Sequence, residues 1–338
     1  MAKVTIVGAG AIGGITGTHL TLAGVDVILA DTWQDHVEAL RRGVYVDGAR
    51  GEYRLPLNAV LPERLEGPLD IVLLAVKSVF TTQALEGIKH LLAPDSVVVS
   101  LQNGINEYSI AGLAGADRTI GCMIGWGATS VGPGRLTQTS LGDFHIGRLN
   151  GTTGGRLEEV AQILGKVTKT NVTDNILGHL WSKLLNNCVI TLGALLGKTV
   201  GEAVAPARNK RIIFKVVEEG IKVALARGVR LEKFEGLVDP VTFVPQKPED
   251  EEIAFMLIDI LGHKHGLIMS SIYQDIEKGR KSEIEYINGQ VVSDGEAAGV
   301  PTPVNSAVVR MILEIESGTR RFGESNIEEL ARIARVEG

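Results

Sequence analysis

Short apolar runs alternate with helical patterns along the first half of the chain. The runs of strand length are Val4–Val7, Val25–Ala30, Ile71–Val76, Val97–Leu101 and Thr119–Ile124. The segments of helical periodicity between them are Ala11–Ala23, Gln34–Arg42, Thr81–His90 and Ile105–Leu113. Runs that are apolar without alternation are typical of parallel strands buried on both faces. This alternation of predicted strands and helices predicts a doubly wound α/β domain. A further β-rich stretch between Gly134 and Ile146 predicts an antiparallel hairpin appended to that domain.

The second half of the chain carries mainly helical patterns. The apolar positions follow helical periodicity over Leu177–Leu196, Asn209–Arg227, Glu252–Lys278, Glu283–Ala298 and Pro303–Ser317. Few β-rich runs remain there, so we predict a mainly α-helical domain. Polar residues between Thr168 and Thr173 interrupt the apolar patterns. We therefore place the domain boundary there, with an α/β domain over 1–173 and a helical domain over 174–338.

Charge and cysteine content exclude several classes of function. The chain has 338 residues, 34 basic and 40 acidic, and a net charge of −6, which does not favour nucleic-acid binding. Cys122 and Cys188 are far apart and form no CxxC pair, so we expect neither a disulfide framework nor a metal site. Lys3 and the apolar stretch after it resemble a signal peptide, but that stretch is rich in glycine and soon followed by His19 and Asp26. No uninterrupted apolar run approaches the roughly 18 residues of a membrane span, and we expect a soluble, cytoplasmic protein.

The sequence Gly8-Ala9-Gly10-Ala11-Ile12-Gly13 matches the GxGxxG fingerprint of dinucleotide-binding Rossmann domains. Such a match is weak alone, but here a predicted strand precedes it and a helix opens at Ala11. Gly8 permits the tight turn, Gly10 lets the backbone approach a pyrophosphate, and Gly13 lets the helix pack closely on the strand. The N–H groups at the helix start, including those of Ala11 and Ile12, would face the phosphates.

Asp31 is the candidate for the acidic residue that completes this fingerprint. It follows the second predicted strand at about the expected distance from the glycines. A carboxylate there accepts hydrogen bonds from a ribose 2′-hydroxyl and repels a 2′-phosphate, so Asp31 favours NADH. The alternative is an aspartate that only caps a helix or turn, and Arg41 or Arg42 could still reach a phosphate.

Polar residues also follow the next two predicted strands. Lys77 ends the third strand, and Gln102-Asn103-Gly104 ends the fourth. Ligands of open α/β sheets bind at the carboxyl ends of strands, so Lys77 and Asn103 are candidate ligand contacts. An Asn-Gly pair is also a common turn, and the sequence alone leaves both interpretations open.

Polar residues within the apolar helical half form a second group of candidates. Lys183 and Asn187 are four residues apart on one predicted helix and share a face, which Thr191 extends by a turn. Ser270-Ser271 and Glu283 also lie in mainly apolar surroundings. A lysine in such a helix either extends to solvent or serves a site, and small polar residues are usually satisfied locally.

Taken together, these features resemble the ketopantoate reductase (2-dehydropantoate 2-reductase) family over nearly the whole chain. The motifs that carry the resemblance are Gly8–Gly13, Val76-Lys77-Ser78, Leu101–Gly104, Trp181–Leu184 with Asn187, Ser270-Ser271 with Gln274-Asp275, Ser282–Gly289 and Val300–Asn305. The family has a Rossmann domain, a helical domain and an active site in the cleft between them, so the resemblance implies the same arrangement here.

The resemblance also implies roles for individual residues. Lys183 would be the general acid and Glu283 would support it, while Asn187 and Ser271 would hold the substrate. Asn103 and Lys77 would line the cofactor side, and we also count Asn103 and Thr191 among the substrate-binding residues. This chemistry is suitable because a hydride that leaves a nicotinamide for a 2-keto carbon builds negative charge on the ketone oxygen. An ammonium group beside that oxygen stabilises the charge and can donate the proton.

The sequence departs from the family pattern at two positions. The family usually has a second asparagine where this chain has Thr191, and many members that favour NADPH carry an arginine near the position of Asp31-Thr32. The main hypothesis is reduction of 2-dehydropantoate to D-pantoate for coenzyme A synthesis, with NAD(P)H as coenzyme. The alternatives are an NAD-dependent dehydrogenase for another 2-hydroxy acid and a protein that senses dinucleotides without catalysis. The apolar helical half, with a long segment over Leu231–Glu252, predicts a homodimer.

Overall fold

A computed structural model describes residues 3–233, 239–244, 248–264 and 266–336. The chain divides into two compact units, residues 1–177 and 178–338. The division falls a few residues beyond the predicted one because Ile176 still packs against Gly121 and Gly147 of the first unit. Parts of Leu231–Glu252, which we expected to add to a dimer interface, lie outside the described residues.

The first unit is built on a mixed sheet of eight strands among the described residues. They are β1 (Val4–Val7), β2 (Val27–Ala30), β5 (Ala59–Val60), β6 (Leu69–Leu74), β7 (Leu92–Ser100), β8 (Thr119–Ile124), β11 (Phe144–Gly147) and β12 (Thr170–Val172). Their order in the sheet is β12-β11-β8-β7-β6-β1-β2-β5. From β5 to β8 all neighbouring strands are parallel. This part has the order of a Rossmann fold, in which the strand order reverses beside β1.

Burial on both faces of this sheet explains why its central strands are mainly apolar and show no alternation of apolar and polar residues. In β1, Val4 and Ile6 pack into one core cluster, whereas Val7 packs into the cluster on the other face. In β6, Ile71 and Leu73 face the first cluster while Val72 and Leu74 face the second. The period-two alternation of side chains therefore places the apolar residues of these strands alternately in the two cores.

The predicted hairpin between Gly134 and Ile146 is wrong. Its first strand, β10 (Arg135–Gln138), pairs antiparallel with the preceding β9 (Ala128–Gly132). These strands belong to a second sheet of order β4-β3-β10-β9, with β3 (Val44–Gly48) and β4 (Tyr53–Leu55). The other predicted strand is β11, which pairs antiparallel with β8 in the main sheet because its buried side chains fill the core there.

The helices of the first unit follow the predicted pattern with small shifts at their ends. They are α1 (Ala11–Leu22), α2 (Gln34–Gly43), α3 (Thr81–Ile88), α4 (Glu107–Ala114) and α5 (Arg156–Leu164). The predicted segment Thr81–His90 ends earlier, since residues from Lys89 form a 3-10 turn. The prediction did not include α5.

The second unit is helical over its described residues. Its helices are α6 (Ile176–Leu196), which begins at the end of the first unit, α7 (Val200–Val204), α8 (Ala207–Ala226), α9 (Pro248–Lys264), α10 (Ser271–Glu277), α11 (Asn288–Ala298), α12 (Pro303–Glu316) and α13 (Glu324–Ala334). None of the described helices has the length and apolar character needed to cross a membrane.

Two helical predictions for this unit are wrong. The segment Glu252–Lys278 is two helices, α9 and α10, because the Ser270 hydroxyl caps a new helix by accepting a hydrogen bond from the Tyr273 N–H. The segment from Glu283 begins with a 3-10 turn, and α11 starts only at Asn288.

Candidate active site

The glycine-rich turn joins β1 to α1 at the carboxyl edge of the main sheet. Gly8 has φ of +95°, and a Cβ atom there would lie 2.6 Å from the backbone N of Val76. A Cβ at Gly13 would overlap the carbonyl oxygen of Gly8. Gly8 and Gly13 are therefore required by the turn and by the close packing of helix on strand.

Gly10 differs from these two glycines because the space beside it is open. A Cβ built there meets no atom within 4 Å among the described residues. Gly10 is also the N-cap of α1, and its residue type provides no side chain to bond the first N–H groups of the helix, which include those of Ala11 and Ile12. Open space in front of unbonded N–H groups at a positive helix end is suitable for the pyrophosphate of a dinucleotide.

Two side chains hold the peptide groups of Ala9 within this turn. The Ala9 N–H donates to Oδ2 of Asp31 at 2.8 Å, and the Trp33 N–H donates to Oδ1 at 3.0 Å. The buried His36 lies with Nε2 2.9 Å from the Ala9 carbonyl oxygen, while its Nδ1 accepts the Gly134 N–H at 3.0 Å. Because Nδ1 is an acceptor, Nε2 carries the proton and donates to Ala9. Asp31 thus fixes the turn from the end of β2, where the sequence predicts a contact with the ribose.

The loops that carry Lys77 and Asn103 are hydrogen-bonded to each other. The Ser78 hydroxyl donates to the Asn103 carbonyl at 2.8 Å, and the Asn106 side chain donates to both Ser78 Oγ and the Asn103 carbonyl. The Gln102 amide donates to the Val76 carbonyl at 2.9 Å. These bonds hold the ends of β6 and β7 together beside the glycine-rich turn, since β6 lies next to both β1 and β7.

Candidate residues of the second unit meet in a pocket between α6 and the start of α10. The pocket is lined by Asn187, Ile190, Thr191, Ile268, Met269, Ser270, Ser271, Ile272 and Ile287. Asn187 and Ser271 thus share one pocket, as the resemblance implies for substrate-binding residues. Lys183 lies one turn before Asn187 on α6 and is half-buried. Most of the lining is apolar, with a few polar groups, as is usual for a small-molecule site.

Lys183 and Glu283 do not belong to the lining of this pocket. Glu283 is only 5% exposed and directly precedes the 3-10 turn before α11. The neighbouring Ser282 orders this segment, because its N–H donates to Glu316 and its hydroxyl accepts the Ile284 N–H. A buried carboxylate in a segment fixed in this way is suited to orienting a cationic partner.

Thr191 is 1% exposed, and its hydroxyl is part of a buried hydrogen-bond chain. It donates to Oδ1 of Asn288 at 3.0 Å, and Asn288 Nδ2 donates to Oδ1 of Asn305 at 2.9 Å. Asn305 Nδ2 then donates to Oε2 of Glu219 at 2.8 Å and to the Val216 carbonyl at 3.0 Å. The Glu219 carboxylate also accepts the N–H groups of Val304 and Asn305, which open α12.

Sequence reasoning missed several residues that order these regions. His36, Ser78 and Asn106 hold the glycine-rich turn and the loops after β6 and β7, while Asn288, Asn305 and Glu219 form the buried chain behind Thr191. Ser78, Asn288 and Asn305 lie within the motifs that carry the family resemblance, which was the only signal in the sequence for these three residues. His36 and Glu219 bind atoms that are distant in sequence, so no local pattern marked them.

Comparisons with known proteins give the family. Residues 4–151 match the family model "Ketopantoate reductase PanE/ApbA", and residues 175–316 match the model of the C-terminal domain of the same enzymes. The chain is 30% identical over 320 residues to the 2-dehydropantoate 2-reductase of Pyrococcus horikoshii, with 93% of this chain and 98% of that protein covered.

Solved structures agree with this assignment. A PanE/ApbA family ketopantoate reductase from Ralstonia eutropha is 28% identical with a TM-score of 0.79, covering 94% of this chain and 99% of its own. A D-mandelate dehydrogenase solved with NADH and anilino(oxo)acetate is 26% identical with the same TM-score and the same coverage. Both domain models of the family match this chain in the family's order, and the fold is shared along nearly the full length. The chain therefore belongs to the ketopantoate reductase family of nicotinamide-dependent oxidoreductases.

Proposed function

We propose that this protein reduces 2-dehydropantoate to D-pantoate, the reaction that supplies pantothenate and coenzyme A synthesis. The observation that carries the proposal is the pocket of the second unit. It combines Asn187 and Ser271 with an apolar lining, one helical turn from Lys183. A branched 2-keto acid needs such a combination of polar groups for its carboxylate and apolar contacts for its branched carbon.

The residues of the second unit would perform the proton chemistry. The bound dihydronicotinamide supplies the hydride for the 2-keto carbon. Lys183 stabilises the negative charge on the ketone oxygen and donates the proton from Nζ. Asn187 and Ser271 donate hydrogen bonds to the substrate carboxylate, and Glu283 orients the ammonium of Lys183.

The first unit would bind the coenzyme. Its uncapped helix start at Gly10 and the open space there favour a pyrophosphate, and Lys77 and Asn103 follow neighbouring strands. Asp31 is held by two backbone N–H groups with its carboxylate at the end of β2. A carboxylate in that place accepts a ribose 2′-hydroxyl and repels a 2′-phosphate, so we propose NADH as the preferred coenzyme.

A second candidate function is oxidation or reduction of another 2-hydroxy or 2-keto acid with NAD(H). Thr191 replaces the asparagine usual in the family, and the similar D-mandelate dehydrogenase was solved with NADH. A sensor without catalysis is less favoured, because binding a dinucleotide requires neither Lys183 nor Glu283.

Initial rates with NADH and NADPH against a panel of 2-keto acids would separate these candidates. The proposal predicts the highest kcat/KM for 2-dehydropantoate among branched aliphatic and aromatic 2-keto acids. A higher value for phenylglyoxylate, the keto acid of mandelate, would favour the second candidate. If none of the 2-keto acids is turned over while the coenzyme still binds, a dinucleotide sensor without catalysis would be favoured.

We also propose that the protein is a homodimer assembled through its helical unit. Helix α9 supports this, because Ile253, Met256 and Ile260 lie along one side of it and are 47%, 64% and 59% exposed. Apolar side chains clustered on one exposed helix face are typical of an interface.

A further inference from the structure

One wall of the pocket comes from residues 266–270, which join α9 to α10 and which we call the wall segment. Three of its residues line the pocket, and Ser271 follows directly as the first residue of α10. The lining also includes Asn187 and Thr191 of α6. The position of Ser271 relative to Asn187 therefore depends on how the wall segment is held.

The short helix α7 is bonded to the wall segment through its first two N–H groups. The Val200 N–H donates to the Ile268 carbonyl at 2.9 Å, and the Gly201 N–H donates to the Gly266 carbonyl at 3.1 Å. The N–H groups in the first turn of a helix have no partner within that helix. The wall segment supplies acceptors for two of them, so α7 and the segment hold each other in place.

A capping box fixes α7 itself next to the end of α6. The Thr199 hydroxyl accepts the Glu202 N–H at 3.4 Å, and the Glu202 carboxylate accepts the Thr199 N–H at 3.0 Å. The Lys198 N–H donates to the Gly193 carbonyl of α6 at 3.1 Å. One continuous stretch of chain therefore carries the α6 lining of the pocket and also holds the wall segment.

The contact between α7 and the wall segment requires a glycine at position 201. A Cβ atom at Gly201 would lie 2.8 Å from Cα and 2.9 Å from the carbonyl oxygen of Gly266. Gly201 lies within a helix and has no positive φ, so its backbone conformation does not itself require glycine. Because the contacted atoms belong to the backbone, a side chain here would displace the wall segment from α7.

Gln274 holds the other end of the wall segment from α10. Its Nε2 donates to the Met269 carbonyl at 3.0 Å, and its own N–H donates to the Ser270 carbonyl at 3.1 Å. The Ser270 hydroxyl accepts the Tyr273 N–H as the cap of α10. Ser270 is buried, whereas Ser271 is exposed and lines the pocket. Ser271 is thus the more accessible of the two serines, on a segment that is held from both α7 and α10.

We propose that Gly201 and Gln274 are positioning residues for substrate binding, which hold the wall segment so that Ser271 and Asn187 can bond one substrate carboxylate together. Neither Gly201 nor Gln274 belongs to the lining of the pocket, so each acts through the wall segment. This inference rests on the proposed function and adds residues outside the pocket to those that determine substrate binding. Displacement of the segment weakens binding of the ground state and of the transition state alike, which raises KM and leaves kcat nearly unchanged.

The test uses two variants of the full-length protein with its preferred coenzyme. The substrate is the 2-keto acid that the wild-type protein turns over best, which we expect to be 2-dehydropantoate. Gly201→Ala places a Cβ against Gly266, and Gln274→Met removes the donor to Met269 while keeping most of the side-chain volume. We expect each variant to raise KM about fivefold, the value of about one neutral hydrogen bond. The values of kcat and of NADH affinity should stay close to those of the wild-type protein.

Gly295→Ala and Gln290→Met are the matched controls. A Cβ at Gly295 would lie 2.8 Å from Cγ2 of Thr302 and 2.9 Å from the Val300 carbonyl oxygen, as close as in the first variant but at the connection of α11 to α12. Gln290 is a half-buried glutamine of α11 whose Nε2 donates to Asp294 and not to the wall segment. Both controls should leave KM unchanged, whatever their effect on the melting temperature.

Two results would overturn the inference while the wild-type protein is active. One is an unchanged KM in folded Gly201→Ala and Gln274→Met. The other is an equal rise of KM in the controls, which would show a general effect of reduced stability. Absence of turnover with every 2-keto acid would instead contradict the proposed function, and the inference with it, so the two failures are distinguishable.

Discussion

At the residue scale, Asp31 combines a structural and a proposed binding role. Its two carboxylate oxygens accept the N–H groups of Ala9 and Trp33. Each oxygen has a further lone pair, so a ribose hydroxyl could be bound without breaking either bond. A 2′-phosphate would face the same negative charge.

Replacement of Asp31 should therefore change the choice of coenzyme. We expect higher kcat/KM with NADH than with NADPH in the wild-type protein. Asp31→Asn keeps one acceptor oxygen for the turn but removes the negative charge. The ratio of kcat/KM with NADH to kcat/KM with NADPH should therefore fall roughly tenfold. Asp26→Asn is the control, since Asp26 is exposed and directly precedes β2, and it should not change the coenzyme preference. A wild-type preference for NADPH would contradict the role assigned to Asp31.

Glu107 is a buried carboxyl that the proposed reaction does not use. It is 1% exposed, and both carboxyl oxygens are buried. Burial raises the pKa of this carboxyl to about 7. The folded protein therefore retains a proton that the unfolded chain releases at lower pH.

This difference predicts a pH dependence of stability. Between the ordinary pKa of a glutamate and about pH 7, folding takes up a proton, so the free energy of unfolding should fall as the pH rises. Glu107→Gln should remove up to about 3 kcal/mol of the decrease between pH 5 and pH 8. Urea unfolding at pH 5 and pH 8 measures the free energy of unfolding, and Glu328→Gln, at an exposed position, is the control. An equal decrease in both variants would show that Glu107 is not the source.

At the element scale, the turn between β1 and α1 contains two glycines that the packing requires, Gly8 and Gly13, and one, Gly10, that we propose faces the pyrophosphate of the coenzyme. Gly13→Ala would force a Cβ into the Gly8 carbonyl oxygen, so we expect a loss of stability of about 1–3 kcal/mol.

Gly10→Ala has room for its Cβ and should leave the melting temperature nearly unchanged. It should nevertheless weaken NADH binding, measured by fluorescence titration, because the methyl group would occupy the space in front of α1. Unchanged NADH affinity in Gly10→Ala would contradict the pyrophosphate site.

The elements that sequence analysis predicted well are those whose environment is uniform. Strands such as β1 and β8 are buried on both faces and are therefore mainly apolar, without alternation, and a local pattern reveals this. The strands β3, β4 and β5 are short and partly exposed, so they carry no such pattern. The break between α9 and α10 depends on the cap by Ser270, which interrupts an otherwise continuous apolar periodicity.

The sequence predicted those features of the candidate site that depend on local spacing, but not those that depend on contacts between distant parts of the chain. Helical spacing alone placed Asn187 and Thr191 on one face, and the structure has both in one pocket. The donation of the Thr191 proton to Asn288 depends on a contact between distant parts of the chain. The same is true of His36 and Ala9, so neither could be derived from local spacing.

At the scale of the whole molecule, the proposed dimer can be tested through α9. Met256→Glu would place a charge among Ile253 and Ile260, and burying it in an interface would be costly. Light scattering at micromolar concentration should give a dimer mass for the wild-type protein and a monomer mass for this variant. Val131→Glu, an equally exposed apolar position on β9, is the control and should remain dimeric. A monomeric wild-type protein would contradict the proposed assembly.

The central claim for the molecule is that the first unit binds the coenzyme while Lys183 of the second performs the proton transfer. Lys183→Ala should then lower kcat by roughly two to four orders of magnitude, the usual contribution of a general acid. NADH affinity should change little, because the glycine-rich turn and Asp31 belong to the other unit. Lys222→Ala, at an exposed position on α8, should leave both quantities unchanged.

The most direct measurement is therefore kcat of Lys183→Ala with 2-dehydropantoate, followed by oxidation of NADH, with NADH affinity measured on the same sample. A drop in kcat of at least about a hundredfold with retained NADH binding is the expected result. Turnover near that of the wild-type protein would contradict the account, since it would show that Lys183 is a helix lysine whose removal the reaction tolerates.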